Sequence, residues 1–289
     1  MTTLLHETLN NASIYMPTPA RIVRVESLTA VEKLYKIELP SGFSLDHRPG
    51  QFVEVSILGI GEAPISLCSS PSRSNGSFEL CVRKVGKLTE AIHRMKPGAM
   101  IGIRGPFGRP FPVDRFAGKD LLLVAGGLGL APLKSVIDEV LDNRGHYGRV
   151  IIAYGARSPQ DMLFTSDLAA WDARDDVEVY TTVDYPAEGW TGNIGMITSL
   201  IPQIAFDGRH MVAVTVGPPV MYRYVVKELL KRRIPEGNIW MSFERQMKCA
   251  VGKCGHCQMH HIYTCQYGPS FTYLEVKDLE EAFGRSEER

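Results

Sequence analysis

The first third of the chain alternates apolar and polar residues with a period of two, which is typical of strands that bury one face. The segments with this pattern are 20–27, 34–39, 51–57, 65–69, 77–85 and 100–104. Turn signals occur at Asn75-Gly76 and Pro97-Gly98, and one short helix fits 88–95. Many short strands with little helix predict a small antiparallel β barrel over residues 18–115.

The pattern changes at Asp120, where continuous apolar segments replace the alternation. Residues 121–125 read Leu-Leu-Leu-Val-Ala, as expected for a strand that is buried on both faces of a parallel sheet. Further strands are predicted at 150–154, 177–182, 211–216 and 238–241, with helices at 130–142, 164–171, 196–201 and 220–232 between them. This alternation of strands and helices predicts a doubly wound α/β nucleotide domain over residues 116–241.

Composition and charge narrow the class of protein. The chain has 289 residues, enough for two or three domains, and its 32 basic residues balance its 32 acidic ones. Without a basic excess to neutralise phosphates, nucleic acid is not expected as the main partner. No apolar segment approaches the ~20 residues needed to span a bilayer, and residues 1–17, a predicted N-terminal arm, lack the pattern of a secretory signal. A cytoplasmic location is therefore expected.

Four of the six cysteines lie in one short segment near the C-terminus. Cys249, Cys254, Cys257 and Cys265 have the spacing C-x4-C-x2-C-x7-C. A four-residue gap followed by a two-residue gap is typical of plant-type [2Fe–2S] sites. Small residues between the cysteines allow backbone N–H groups to approach sulfur. We therefore expect a cluster module over residues 242–276, followed by a polar tail over 277–289.

Two other interpretations of the cysteines remain open at this point. A structural zinc site would combine Cys254, Cys257 and Cys265 with Cys249 or with one of the nearby histidines, which are His256, His260 and His261. Disulfides or free thiols form the second alternative. Zinc sites usually contain two close cysteine pairs on separate loops, whereas three of these cysteines crowd one loop, so the spacing favours iron–sulfur.

Glycine-rich loops follow two of the predicted parallel strands. Gly126-Gly-Leu-Gly-Leu-Ala-Pro132 joins a buried strand to a helix, and Gly217-Pro218 lies in the same context after a later strand. Such loops let the backbone approach a phosphate at the positive end of a helix. A third strand ends near Arg157, which is available to a ribose or a phosphate, although a plain surface charge is nearly as good an interpretation. These loops predict nucleotide binding at the carboxyl edge of the sheet.

The barrel contains weaker signals of the same kind. Ser66 stands in a predicted strand, and Gly86 and Thr89 lie at the start of the short helix, where an anion is favoured. Gly105-Pro-Phe-Gly108 follows as a tight turn. Each of these is individually more often structural than functional, and it is their order ahead of a nucleotide domain that gives them weight.

In this order, these motifs resemble the ferredoxin-reductase superfamily, in which an FAD-binding barrel precedes a pyridine-nucleotide domain. Within it, the chain is most similar to the branch with a C-terminal [2Fe–2S] module. That branch contains the gamma subunit of cytosolic NAD(P)-linked nickel–iron hydrogenases (sulfhydrogenases), the electron-transfer subunit of dihydroorotate dehydrogenase, and one of the subunits of anaerobic sulfite reductase. The segments that carry the resemblance most closely match the hydrogenase gamma subunit; they are 62–67, 105–108, 125–133, 243–249 and 252–257.

The resemblance implies a role for each motif. For FAD, it implies Pro64, Ile65 and Ser66 along the flavin ring, and Gly86, Leu88 and Thr89 at the pyrophosphate. For NAD(P)H, it implies Gly126, Gly127, Gly129 and Pro132 at the phosphates, and Gly217 and Pro218 near the nicotinamide. The chain departs from the superfamily pattern at two positions, since Ala63 replaces an arginine and Ile65 an aromatic residue. Arg83 or Lys84 on the next strand is a candidate to supply the missing charge.

The expected function is electron transfer. A nicotinamide delivers two electrons as a hydride and a [2Fe–2S] cluster accepts one, so a flavin is needed between them. This chain shows no second catalytic centre, so we expect it to be a subunit whose partners are the iron–sulfur and catalytic subunits of a multi-subunit oxidoreductase. A self-contained ferredoxin-type reductase and a non-enzymatic nucleotide sensor with a zinc-bound tail are the alternatives. Glu244 is a candidate to position the flavin or the cluster segment.

Overall fold

The barrel predicted from the alternating pattern is present. In the computed structural model, which describes residues 14–74 and 76–283, six strands form one antiparallel sheet in the order β4-β3-β6-β1-β2-β5. The strands are β1 (Thr18–Ser27), β2 (Glu32–Glu38), β3 (Phe52–Ile57), β4 (Gly61–Ser66), β5 (Ser77–Arg83) and β6 (Met100–Phe107). A bridge between Leu67 and Leu80 joins the two edges of the sheet and closes the barrel.

Alternate residues of these strands form the interior of the barrel. Ile22, Ile37, Val55 and Ile103 are buried in one apolar cluster, and Ile92 from helix α1 (Lys87–His93) packs on it. The sequence pattern placed β4 at residues 65–69, and this was wrong, because the strand begins at Gly61. Glycine and proline weaken the strand pattern over 61–64, but an edge strand tolerates both residues.

The second half of the chain is the doubly wound domain. Its sheet contains β7 (Asp120–Gly126), β8 (Val150–Ala156), β9 (Glu178–Val183), β10 (Asn193–Ile194), β11 (Met211–Val216) and β12 (Ile239–Ser242), all parallel, in the order β10-β9-β8-β7-β11-β12. The helices between them are α2 (Leu130–Asp142), α3 (Thr165–Asp172), α4 (Ile197–Leu200) and α5 (Pro219–Lys231). Leu121 and Leu123 belong to one core cluster and Leu122 and Val124 to another, so β7 is buried on both faces as its apolar sequence predicts.

The cysteine segment starts and ends at the edge of this sheet. It contains a small hairpin of β13 (Gln258–Met259) and β14 (Ile262–Tyr263), then α6 (Thr264–Tyr267), β15 (Ser270–Thr272) and α7 (Tyr273–Val276). Strand β15 pairs antiparallel with β12 as the seventh strand of the sheet. The cysteines therefore lie on a long loop whose two ends are held on neighbouring strands.

The barrel and the α/β domain are in extensive contact. Arg73 on the barrel forms ion pairs of 2.7 Å with both Asp138 and Asp142 of α2. Trp240 of β12 packs against the rings of Phe111 and Phe116, which follow the barrel. These contacts hold the two domains together, and we call the region where Arg83 at the end of β5 approaches Glu244, just after β12, the cleft.

Some predictions fall outside the described residues. Most of the predicted N-terminal arm (residues 1–13), Asn75 of one predicted turn, and the last six residues of the tail (284–289) are not described. Within 14–74 and 76–283, no helix is long and apolar enough to cross a membrane.

Candidate functional site

The two predicted nucleotide loops meet at one point of the sheet. Strand β7 is the first of the parallel strands, and the chain continues to β8 on one side of it and later to β11 on the other. This reversal of strand order is the position at which open α/β sheets bind ligands. The loops that follow β7 and β11 carry the predicted phosphate and nicotinamide residues, so both lie at this switch point.

The glycines in these loops allow the loops to touch. A Cβ atom on Gly129 would overlap the Val216 carbonyl, and one on Gly126 would lie 2.5 Å from the Met221 sulfur. At Gly127, whose φ is +53°, a Cβ atom would meet only open space. The backbone of this loop is therefore packed on one side and accessible on the other, as phosphate binding requires. Pro132 is buried in the first turn of α2, where its missing N–H costs nothing.

Arg157 and Asp184 lie side by side at the same edge. Backbone hydrogen bonds join the two chain segments at the ends of β8 and β9. Asp184 N donates to the Ala156 carbonyl at 3.0 Å, and Tyr185 N donates to the Arg157 carbonyl at 2.9 Å. Both side chains are exposed. A cation and a carboxylate at this edge are the two groups that distinguish a ribose 2′-phosphate from a 2′-hydroxyl.

The predicted flavin residues lie on an edge strand of the barrel beside the cleft. Pro64, Ile65 and Ser66 are all half-buried on β4. Pro64 pairs with Glu54 and Ser66 with Phe52 on β3, so these four side chains share the outer face of the barrel. Ala63 pairs with Val55 and shares the opposite face. The outer face thus presents Pro64 and Ser66 where a flat ring would lie, whereas Ile65 pairs with Val53 and its side chain packs on the barrel core.

The second barrel motif forms a compact turn at the start of α1. Thr89 Oγ1 accepts hydrogen bonds from Val85 N at 2.9 Å and Gly86 N at 3.0 Å, and donates to the Gly86 carbonyl. The first N–H groups of a helix have no partner within the helix and remain available to a phosphate. Leu88, in this first turn, packs on the barrel core. The turn therefore fits the predicted pyrophosphate site.

Arg83 is held by a carboxylate rather than projecting alone. It forms an ion pair with Glu32, a buried residue of the neighbouring strand β2. Glu244 lies across the cleft. The residue is exposed at one side, but protein atoms crowd its carboxylate, and this loss of water raises its pKa. The charge of Arg83 opposes the shift. Arg83 and Glu244 therefore face each other from the two domains across the cleft.

The cysteine loop has the backbone needed to wrap a compact centre. Ala250, Gly252 and Gly255 have φ angles of 60°, 69° and 80°, which turn the chain tightly. Gly252 N donates to Cys265 Sγ at 3.1 Å and Lys253 N donates to Cys249 Sγ at 3.3 Å. N–H groups aimed at sulfur stabilise thiolate charge.

Two of the thiols are affected by a neighbouring thiol. The Cys249 side chain helps to lower the pKa of Cys254, and the Cys257 side chain helps to raise the pKa of Cys265. Cys254 is exposed and a hydrogen bond from the His256 backbone lowers its pKa, whereas burial raises the pKa of Cys265 to about 12. In the part of the chain that the structure describes, all six cysteines are free, and no three His, Cys, Asp or Glu side chains converge to hold a single metal ion.

The loop packs directly on the outside of the barrel. Met247, Ala250, Cys257 and Cys265 form an apolar cluster with Phe52 of β3, and Phe107 of β6 and Tyr263 pack against it. A second contact lies at the end of the loop, where Arg109 N donates to the Gly268 carbonyl at 2.5 Å and the Arg109 side chain pairs with Glu275 at 2.7 Å. The barrel therefore provides the surface that the small cysteine segment lacks.

Two charged residues beneath the loop were not among the predicted site residues. Glu54 is completely buried, and within the described residues neither carboxylate oxygen has a hydrogen-bond partner. Burial, with Glu62 nearby, raises the pKa of Glu54 to about 8. Arg104, its neighbour on β6, is also buried and pairs with Glu62. From the sequence, both residues are expected at the surface, because they alternate with apolar residues in their strands. They are buried because the cysteine loop covers them.

The fold and the site define a flavin- and nicotinamide-binding oxidoreductase with an iron–sulfur module. Three family models match the chain: an oxidoreductase FAD-binding domain at residues 19–111, an oxidoreductase NAD-binding domain at 123–227, and the iron–sulfur cluster binding domain of dihydroorotate dehydrogenase B at 244–277. Each matched segment coincides with one structural unit described above.

Similar whole proteins identify the family. The chain is 41% identical to sulfhydrogenase 2 subunit gamma of Pyrococcus furiosus over 91% of this chain and 96% of that protein. It is 35% identical to a probable dihydroorotate dehydrogenase B (NAD(+)) electron transfer subunit of Methanothermobacter thermautotrophicus over 84% of both. The chain belongs to this iron–sulfur branch of the ferredoxin-reductase superfamily, which confirms the family predicted from the motifs.

Solved structures agree with this fold. The NADH-dependent reduced ferredoxin-NADP oxidoreductase structure matches with a TM-score of 0.72 and 25% identity over 93% of this chain and 94% of that one. The cytochrome b5 reductase domain of Ulva prolifera nitrate reductase matches with a TM-score of 0.67 and 20% identity, and covers 80% of this chain and 98% of that one.

Replacing Gly129 by alanine tests the contact between the two nucleotide loops. The added Cβ would overlap the Val216 carbonyl, so the loop after β11 must move. We expect the KM for NAD(P)H to rise by about tenfold, since overpacking of this kind costs on the order of 1–3 kcal/mol. The control is Gly145→Ala, whose Cβ would meet open space. Equal KM values in the two variants would contradict the proposed contact.

Glu54 predicts a pH dependence of stability. Its pKa is about 8 in the folded protein against 4.5 for the ordinary group, so the folded state binds more protons than the unfolded state between these values. The free energy of unfolding contributed by Glu54 therefore falls as pH rises from 4.5 to 8, by at most about 1.4 kcal/mol per pH unit. We expect the Tm of the wild type to fall relative to Glu54→Gln from pH 6 to pH 8.

Glu26→Gln, at an exposed strand position, is the control for this experiment. Its Tm should follow the wild type at every pH. A wild type and a Glu54→Gln variant with parallel Tm curves over this range would show that Glu54 titrates normally.

Proposed function

We propose that this protein is the electron-transfer subunit of a multi-subunit oxidoreductase, exchanging electrons between NAD(P)H, FAD, a [2Fe–2S] cluster and a partner subunit. The observation that carries the proposal is the position of the cysteine loop. Cys257 and Cys265 pack with Phe52 on the outer face of the barrel, and Phe52 lies on the strand that pairs with the one carrying the predicted flavin residues. The loop also directly follows the strand beside the one that carries the nicotinamide residues.

The cysteine spacing favours a binuclear cluster over zinc. A single zinc ion requires four ligands around one point, whereas in a [2Fe–2S] cluster each of two irons takes two thiolates. The cysteine spacing is the one typical of the second kind of site, in which Cys249 with Cys254 and Cys257 with Cys265 would each hold one iron. The candidate histidines offer no comparable arrangement, since His260 and His261 bring their Nδ1 atoms within 2.9 Å of each other.

The residues around the cleft fit the two other groups. FAD, when bound, supplies the exchange between one- and two-electron chemistry. Gly86, Leu88 and Thr89 would hold its pyrophosphate with the first turn of α1, and Pro64, Ile65 and Ser66 would lie along its ring. Arg83, kept in place by Glu32, is a candidate for the positive charge that Ala63 lacks. Glu244 would close the cleft from the opposite domain.

NAD(P)H would occupy the switch point. Gly126, Gly127, Gly129 and Pro132 would surround its phosphates, and Gly217 and Pro218 would lie beside the nicotinamide. Arg157 would favour a 2′-phosphate, whereas Asp184 would accept a hydrogen bond from a 2′-hydroxyl. Steady-state kinetics with NADH and NADPH, on the wild type and on Arg157→Gln, decide between the two. If Arg157 binds the 2′-phosphate, the substitution raises the KM for NADPH and leaves the KM for NADH unchanged.

The exposed end of the cluster loop is the proposed exit for electrons. Cys254 is at the surface, whereas Cys257 and Cys265 are each only 2% exposed. A partner that docks on this face would approach the iron bound by Cys249 and Cys254. The relatives named as sulfhydrogenase gamma subunits are the more similar ones, at 40–41% identity, so we propose a hydrogenase-type partner. Relatives of dihydroorotate dehydrogenase make that enzyme the second candidate.

Purification of the protein from cells that produce it tests this assignment. We expect larger iron–sulfur chains to co-purify at fixed stoichiometry and the complex to oxidise hydrogen with NAD(P). Co-purification with a dihydroorotate-oxidising subunit would select the second candidate. A chain that purifies alone and reduces a soluble ferredoxin at full rate would contradict the subunit proposal.

Substitution of Cys254 by serine tests the exit. We expect electron transfer to the partner to fall by at least about a hundredfold, while reduction of FAD by NAD(P)H stays within about twofold of the wild type, because the cleft is unchanged. Stopped-flow absorbance separates the two events. Cys68→Ala, a buried cysteine outside the loop, is the control and should retain both rates.

Iron and acid-labile sulfide analysis completes this test. The proposal expects two irons and two sulfides per chain in anaerobically prepared wild type. A preparation with one zinc and no iron that still transfers electrons to the partner would overturn it.

A further inference from the structure

Arg104 lies between the two predicted redox sites and contacts both. It belongs to β6, and its side chain is on the outer face of the barrel beneath the cysteine loop. Its side chain is only 4% exposed. A buried guanidinium must be paired, and each of its contacts therefore indicates what the residue holds in place.

On one side, Arg104 holds the flavin strand. Its Nε and Nη2 donate to the two carboxylate oxygens of Glu62 at 2.8 and 2.6 Å. Glu62 is on β4, two residues before Pro64, the first of the predicted flavin residues. A two-point contact of this kind fixes orientation as well as distance, because the guanidinium fork matches a carboxylate.

On the other side, Arg104 holds the cluster loop. Nη1 donates to the backbone carbonyl of Cys249 at 3.4 Å and to that of Ile14 at 3.0 Å. The guanidinium also lies 5.4 Å from the ring centre of Phe107, which packs against the apolar cluster under the loop. The same side chain thus contacts a predicted iron ligand, the chain before β1 and the floor of the module.

Arg104 is a buried positive charge in direct contact with this end of the loop, through the Cys249 carbonyl. Glu62 is its ion-pair partner, and the buried Glu54 lies beside it. Cys249 and Lys248 also affect the pKa of Glu54, and Lys248 is exposed. A positive charge close to a redox centre favours the reduced state, and a negative charge disfavours it, most strongly where water is excluded.

We propose that Arg104 is a positioning residue that couples the two redox sites, and that its charge, balanced by Glu62, sets the electron affinity of the cluster. The proposal rests on the proposed function, since it requires an iron–sulfur cluster on the loop. It concerns residues that touch the cluster ligands through the backbone, and it assigns them no part in hydride transfer.

The two members of the pair allow a test with opposite signs. In Arg104→Gln, the positive charge is lost and we expect the equilibrium between reduced cluster and reduced flavin to shift about tenfold towards oxidised cluster, which is about 59 mV for a one-electron couple. In Glu62→Gln, the compensating negative charge is lost and the cluster potential should rise. Arg104→Lys keeps the charge and should restore most of the wild-type potential.

The measurement is an EPR-monitored redox titration of the purified holoprotein, with iron content determined for every variant. A structural disturbance alone would move both single variants in the same direction or lower their iron content equally. The proposal would be overturned if both variants shifted the potential in the same direction. It would also be overturned if the electron equilibrium between cluster and flavin changed by less than about twofold in both. If the wild type itself contains no reducible cluster, the proposed function fails instead, and the two failures are thereby distinguished.

Discussion

The site depends on the pairing of β15 with β12. The three residues of β15 bring the chain back to the edge of the sheet that it left at Ser242, with Trp240 opposite Thr272 and Ser242 opposite Ser270. Both ends of the cysteine loop are therefore fixed on one rigid element. A segment of this size cannot bury enough apolar surface to fold by itself. It is ordered here because its ends are held and because Phe52 and Phe107 of the barrel supply the other half of its apolar cluster.

The strand order then determines how the cofactor sites follow one another. Strands β7, β11 and β12 are neighbours in the sheet and all run parallel, so the loops that follow them lie next to one another at one edge. The first loop carries the glycines proposed to hold phosphate, the second carries Gly217 and Pro218, and the third carries Glu244 and the cysteines. A chain with this topology therefore brings the proposed phosphate loop, the proposed nicotinamide loop and the thiols next to one another at one edge of the sheet.

The parts of this arrangement that follow local rules could be predicted from the sequence. Period-two alternation indicated the barrel strands, continuous apolar segments indicated the buried parallel strands, and the cysteine spacing indicated the cluster loop. The parts that depend on distant segments could not be predicted. Strand β15 is only Ser-Phe-Thr and has no pattern of its own, and β4 contains a glycine and a proline. Glu54 and Arg104 alternate with apolar residues as surface charges do, and only a loop from the far end of the chain buries them.

The burial of Glu54 and Arg104 shows what the polar contacts under the cysteine loop contribute. Removing a charge pair from water costs about as much as the pairing returns, so an apolar floor would hold the loop equally tightly. An apolar floor would, however, tolerate sliding, because dispersion contacts have little directional preference. The fork of Arg104 on Glu62, with its further bonds to the Cys249 and Ile14 carbonyls, has one acceptable geometry. The charged contacts thus add orientation to a module whose stability comes from elsewhere, and electron transfer between two sites requires a fixed relative position.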